Sequence, residues 1–194
     1  MVSIAPPSSF DLNLATLRAT GAVPHYFGLG FIQLKLDARR RLHFWVPEWP
    51  AIPGADNEIH DHRYDFTSTV LQGEVEQEVF AEGPVETSPF PGCHELVEVL
   101  CQPGHGAEPP LVQGYVNPMR RIHHRVAAGQ AYWLSGEAFH RARSHGATVT
   151  LLERGPVQKD RARVIRPFGT PFVCPFGLAV PEAACWEQIE QMIR

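Results

Sequence analysis

One stretch constrains the fold more than any other. It runs Glu58-Ile59-His60-Asp61-His62-Arg63-Tyr64-Asp65-Phe66-Thr67-Ser68-Thr69-Val70-Leu71-Gln72-Gly73. Aromatic and β-branched residues, closed by a glycine, read as a single β-strand ending in a turn. Strand side chains at i and i+2 share a face, so His60 and His62 point the same way. Two imidazoles on one face can grip a metal ion, and histidine is the commonest metal ligand. The plainer alternative is two solvated histidines on a polar strand. Strict alternation gives an inward set of His60, His62, Tyr64, Phe66 and Ser68. Asp65 falls on the other face unless a bulge re-aims it.

A second stretch shifts the balance. Gly129-Gln130-Ala131-Tyr132-Trp133-Leu134-Ser135-Gly136-Glu137-Ala138-Phe139-His140 reads as a strand, a tight turn and a histidine opening the next strand. Together the two stretches resemble the two motifs of the cupin superfamily. Gly54, His60, His62 and Gly73 stand in the register of the first motif, and Gly129 and His140 in that of the second. Two departures matter. Phe66 occupies the position of the usual glutamate ligand, and Ser135 and Glu137 replace the usual proline and glycine of the turn. The resemblance therefore implies a three-histidine site, His60, His62 and His140, without a protein carboxylate. Within the superfamily that set is similar to the thiol dioxygenases and other three-histidine Fe(II) oxygenases. It implies one divalent ion, Fe(II) favoured, with Zn, Ni, Mn or Cu also suited to imidazole. Three neutral ligands leave the ion its full charge and open positions for a small molecule or water.

The chain has 194 residues, enough for one domain with a proper core. Its net charge of −4 gives no nucleic-acid footprint. Eighteen prolines suit many turns between short strands. No apolar run approaches a membrane span, and the N-terminal residues lack a basic region followed by an apolar core. Cys93, Cys101, Cys174 and Cys185 form no C-x-x-C pair. The expectation is a cytoplasmic protein with free thiols, a small-molecule partner, and neither nucleic acid nor membrane.

The pattern predicts an all-β fold with short flanking helices, and the resemblance implies a double-stranded β-helix or jelly-roll barrel. The expected organisation is one domain over residues 1–194: a helical or irregular extension over 1–26, a barrel over 27–170 and a helix over 181–194. Ser9 is a candidate cap for a helix over Phe10–Ala19, closed by Gly21. Phe27–Leu36 and Arg41–Val46 read as paired strands around an Asp37–Arg40 turn. Glu74–Phe80 alternates acidic residues against Val75, Gln77 and Val79, which makes Gln77 a cavity candidate. Leu96–Cys101, between turn-rich loops over Gly83–Pro91 and Gln102–Pro110, Val112–Val116, Arg120–Val126 and Gln130–Leu134 follow. Thr148–Glu153 reads as the last barrel strand, with an exit turn at Gly155-Pro156. Trp186, Ile189 and Ile193 space one buried face of a terminal helix.

Tyr64 is the catalytic candidate, able to orient a ligand through its hydroxyl, against a plain barrel-filling role. Phe66, Gln77 and Tyr132 are substrate-binding candidates. Of Tyr132 and Trp133, one must face the cavity. Arg63 alternates away from the metal face and suits a salt bridge. Arg120, Arg121 and Arg125 form a basic patch, either a carboxylate reader or an exposed edge. Only one of His123 and His124 can face inward. His25, His43, His94, His105 and His145 have no recommending spacing. The leading functional expectation is a non-haem Fe(II) oxygenase acting on a small molecule. The alternatives are a metal-dependent isomerase, lyase or hydrolase, with Tyr64 or Glu137 as the acid–base group, and a non-catalytic small-molecule-binding cupin. Strand edges outside the motifs suggest a homodimer.

Overall fold

A computed structural model describes residues 10, 12–54, 58–100 and 109–194. Its strands form two antiparallel sheets. The first orders β1 (Pro24–Phe27), β2 (Phe31–Lys35), β3 (Arg40–Trp45), β12 (Thr148–Arg154), β5 (Phe66–Gln72) and β10 (Ala131–Leu134). The second orders β8 (Leu111–Val116), β7 (His94–Val99), β13 (Ala162–Pro167), β4 (Ile59–His60), β11 (Phe139–Arg143), β6 (Glu74–Ala81) and β9 (Met119–Ala127). The chain changes sheet at β3–β4, β4–β5, β5–β6, β9–β10, β10–β11, β11–β12 and β12–β13. The strands therefore wind around a shared interior as a jelly roll. The β5–β6 crossing is made at Gly73, whose φ of 76° a larger residue would resist. A Cβ there would also stand 2.4 Å from Thr148 Oγ1.

Two helices cover the outside of the first sheet. α1 (Leu14–Ala19) is capped by Asn13, whose Oδ1 accepts from Ala15 N at 2.9 Å and Thr16 N at 3.3 Å. The expected helix from Phe10 is thus shorter and capped elsewhere; Ser9 lies outside the described residues. α2 (Glu182–Ile193) buries Cys185, Trp186, Ile189 and Met192, so Met192 is buried in the last turn while Ile193 stays partly exposed. Leu17 joins these residues in one cluster with Ile32, Leu34, Leu42, Phe44, Val149 and Leu151.

Three expected strands are corrected. Phe27–Leu36 is not one strand but a hairpin, β1 to β2, turning at Gly30 with φ 95°. Residues 58–73 are not one strand either: β4 belongs to one sheet and β5 to the other. At the break, Asp61 N bonds Arg163 O at 3.0 Å and His62 N bonds Gly136 O at 3.1 Å. Finally, β12 is not the last strand. β13 follows it and fills the second sheet between β7 and β4. Its pattern, Ala162-Arg163-Val164-Ile165-Arg166-Pro167, hides behind arginines that pair with buried or half-buried acids. Cys101, His105 and most of the Gln102–Pro110 loop lie outside the described residues.

Candidate metal centre

His60 ends β4, His62 follows it, and His140 stands beside His60 on β11 in antiparallel register. One nitrogen or so from each ring can meet at a point: a donor atom of each lies within 4.8 Å of the others. The Nε2 atoms of His62 and His140 are 2.7 Å apart. The turn between β10 and β11 locks the two motifs together. Gly136 N donates to Asp65 Oδ1 at 2.7 Å. A Cβ on Gly136 would come within 2.9 Å of the Tyr64 backbone, which gives a glycine at this turn a packing reason.

The donor set fits a divalent ion. Burial pushes the His62 and His140 imidazoles well below 6.5, and neighbouring imidazoles push them further. Burial also lowers His60, against the opposing pull of Asp61. Neutral rings offer lone pairs, which is what an ion needs. His140 has a buried partner behind it: Gln77, fully buried, places Nε2 2.9 Å from His140 Nδ1. The Gln77 Oε1 atom is buried without a partner. Rotating that amide by half a turn presents Gln77 Oε1 to His140 Nδ1–H and leaves the lone pair of His140 Nε2 free for a metal. Gln77 thus stands behind His140 rather than on the cavity wall.

A cavity of about 510 Å³ opens in front of the histidines. Phe66, Tyr64, Ser68 and Tyr132 line it, so the inward alternation carries across the break between β4 and β5. Phe66 is buried, with its ring 4.7 Å from His62 and 5.7 Å from His140. Asp65 turns away: its Oδ2 accepts from Gln158 Nε2 at 3.1 Å while Oδ1 holds Gly136. Burial raises the Tyr132 phenol to about 12. Trp133 is exposed, so Tyr132 is the inward residue of that pair.

Other candidates sit elsewhere. Glu137 is ion-paired with Lys159 and Arg163 on an exposed surface, which removes it as an acid–base group at the histidines. Arg120 pairs with Glu78 and Arg125 with Glu74, on the outer strand β9, so that patch does not face the cavity. His123 pairs with Glu76. Arg63 does reach the cavity wall, and its Nε donates to Lys159 O. Sequence reasoning passed over Glu58, Lys35, Arg41, His43 and Arg154, all of which line the cavity. Glu58 is partly buried, 3.9 Å from His60 Nδ1, and burial raises its carboxyl to about 7. His43 is buried, hydrogen-bonded to Gln33 and lowered to about 3 by burial and Arg41.

No protein-family profile matches the chain, and no curated protein matches it in sequence. In structure it is similar to hydroquinone 1,2-dioxygenase from Sphingomonas sp. TTNP3, solved with 4-hydroxybenzoate bound. The identity is 10% over 62% of this chain and 63% of that one, with a TM-score of 0.32. It is similar to hydroquinone 1,2-dioxygenase PnpCD in complex with Cd2+ and 4-hydroxybenzonitrile, at 15% over 81% and 82%, TM-score 0.32. E. coli ycfD gives 13% over 79% of this chain and 38% of that one, TM-score 0.33. This chain thus spans under two thirds of the first and third of these proteins. At such scores the likeness carries no argument about activity.

Proposed function

We propose that the chain is a single-domain, metal-dependent cupin acting on a small molecule, and that its chemistry is that of a non-haem Fe(II) oxygenase. The observation that carries this reading is the convergence of His60, His62 and His140 on one cavity, with Phe66 rather than a carboxylate packed against His62 and His140. The three rings would hold the ion, and Gln77 would orient His140. Bound iron would supply Lewis acidity and oxygen activation, leaving the protein to shape a dry pocket and orient the ligand. Tyr64 and Tyr132 offer hydroxyls to that pocket, and Phe66 excludes water from the histidines.

Among the described residues no helix is long and apolar enough to cross a membrane. A homodimer joined at a sheet edge belongs to the same reading, because open edges such as β1 and β9 need cover. A light-scattering mass near one chain, at micromolar concentration, counts against it.

A second reading has its own support. Glu58 lines the cavity beside His60 and could serve as the acid–base group of a Lewis-acid isomerase, lyase or hydrolase. Elemental analysis of protein purified without added metal separates the two. Iron, together with oxygen-dependent turnover, supports the oxygenase. Zinc with oxygen-independent turnover that is lost in Glu58→Gln supports the second reading. No retained metal in any preparation removes both.

A further inference from the structure

The cavity has a second chemical end. On the first sheet, Lys35 of β2 pairs across the ladder with Arg41 of β3, and Arg41 pairs with Leu152 of β12, two residues before Arg154. All three cations line the cavity. Among the described residues none of them meets a carboxylate in an ion pair, whereas Arg120, Arg141, Arg163 and Arg166 each do. Like charges placed directly opposite on a ladder repel. The repulsion registers on the side chains. Burial lowers Lys35, and Arg41 and Arg154 lower it further; burial and Arg154 lower Arg41.

The cluster is nevertheless held in place. The Tyr64 ring is in contact with two guanidinium groups, with Arg41 Cζ 5.5 Å and Arg154 Cζ 5.2 Å from its centroid. Arg154 Nε also donates to Ala38 O at 2.8 Å. The same Tyr64 ring is 5.6 Å from the His62 ring, so the cations stand one aromatic ring from the histidines. The cavity wall also carries an aromatic group. Phe27, Phe31 and Phe176 pack at ring distances of 5.0 and 4.8 Å.

We propose that Lys35, Arg41 and Arg154 form an oxyanion subsite that receives the carboxylate of a small substrate whose apolar or aromatic body lies along the phenylalanine wall. Guanidinium forks match a planar carboxylate in a bidentate pair, and Arg41 and Arg154 are half-buried while Lys35 is exposed. An anion would also relieve the mutual repulsion of the three cations. The metal-centre reading places the ligand's other end at the histidines. That part rests on the proposed function; the subsite itself rests only on the cation cluster and the cavity.

The test uses the full chain stripped of metal by a chelator, and calorimetric titration with benzoate, benzamide and inorganic phosphate. Benzoate and benzamide share shape and differ in charge. Benzoate should bind at least about tenfold more tightly than benzamide, a difference a single charge-assisted pair can supply. Arg41→Met and Arg154→Gln should each weaken benzoate about tenfold and leave benzamide unchanged. Circular dichroism establishes that each variant is folded. Equal binding of benzoate and benzamide to the wild type overturns the subsite, as does undiminished benzoate binding in the folded double variant. Phosphate binding more tightly than benzoate overturns the carboxylate assignment. Metal content, measured on unstripped protein, keeps the two readings apart. Selective benzoate binding in a protein that retains no metal sinks the metal centre alone. Retained metal without benzoate selectivity sinks the subsite alone.

Discussion

Two clusters of charge flank the histidines, and they are built in opposite ways. Behind the metal face, Asp61 is buried with a full set of partners: Lys159 Nζ at 2.7 Å, Arg163 Nε at 2.6 Å and Arg163 N at 2.7 Å. In front of it, Lys35, Arg41 and Arg154 gather on the cavity wall, and among the described residues none of the three forms an ion pair with a carboxylate. The first cluster ties β13 to the residues following β4 and closes on itself. The second has one donor tied to backbone, Arg154 Nε to Ala38 O, and no ion-paired counter-charge among the described residues. A satisfied network specifies structure, while an unsatisfied one, held in place by packing, points to something from outside.

The comparison breaks most readily at Asp61. In Asp61→Asn the half-buried Lys159 and Arg163 lose their buried counter-charge and keep only the more exposed Glu137 and, for Arg163, Glu82; removing one partner of a buried pair costs up to about 3–5 kcal/mol. Chemical denaturation of the chelated protein should show that loss. A loss under about 1 kcal/mol would mean the cluster is solvated and no different in kind from the cations in front of it.

The histidines between the clusters should behave differently again. His140→Ala should abolish metal retention and leave a folded protein, because the core comes from the helix-covered cluster around Phe44 and Ile189. Stability should fall only by the ion's linkage contribution, about 2.7 kcal/mol at a hundredfold excess over Kd. Metal content and melting of the variant, set beside chelated wild type, check both halves. Full metal occupancy in the variant would remove His140 as a ligand. Unfolding of both forms at room temperature would make the ion structural.

His43 gives the cavity floor a measurable acid limb. Its imidazole is lowered to about 3, whereas the unfolded chain takes a proton near 6.5. Above pH 6.5 neither state is protonated and the group contributes nothing to the pH dependence. As pH falls from 6.5 towards 3, the unfolded chain binds a proton that the fold refuses, so stability declines through that window. At pH 5 the loss is about 2 kcal/mol. His43→Gln should flatten this limb between pH 6.5 and 5 in chelated protein. An unchanged slope would show that His43 is solvated.

The sequence was legible where local pattern and topology agree. His60 and His62 share a face by spacing, and the resemblance to the cupin motifs added His140 and the position of Phe66; all four meet at one cavity. The parity His60–Tyr64–Ser68 survived although β4 and β5 lie in different sheets. What pattern could not say was which face of a strand is inside. In β2 and β3 the apolar residues, Ile32, Leu34, Leu42 and Phe44, face the helices. The polar set, Gln33, Lys35, Arg41 and His43, faces the cavity. An amphipathic strand covered by helices inverts the usual rule that polar residues face water. Alternation at Gln33 and Lys35 was visible; its direction depended on α1, before β2 in the chain, and on α2, near the far end of it. The arginines Arg120, Arg121 and Arg125 drew attention instead because they are neighbours in sequence.

The smallest expected effect is also the one that separates the two charge clusters in sign. Arg41→Met keeps most of the side-chain stem, which packs beside Tyr64, and removes a half-buried cation that Lys35 and Arg154 repel. Without a bound anion the native state should gain from its removal, or at least lose nothing, with a change under about 1 kcal/mol. Melting of chelated wild type and variant, in low-salt buffer without carboxylate or phosphate, is the measurement. Adding salt should narrow the gap, since screening weakens the repulsion in the wild type. With benzoate present the order should reverse, because the anion stabilises only the protein that can bind it. A loss of 2 kcal/mol or more in anion-free buffer, roughly the cost of breaking a buried hydrogen-bonded pair, would mean that Arg41 already has a structural partner. The two clusters would then be alike.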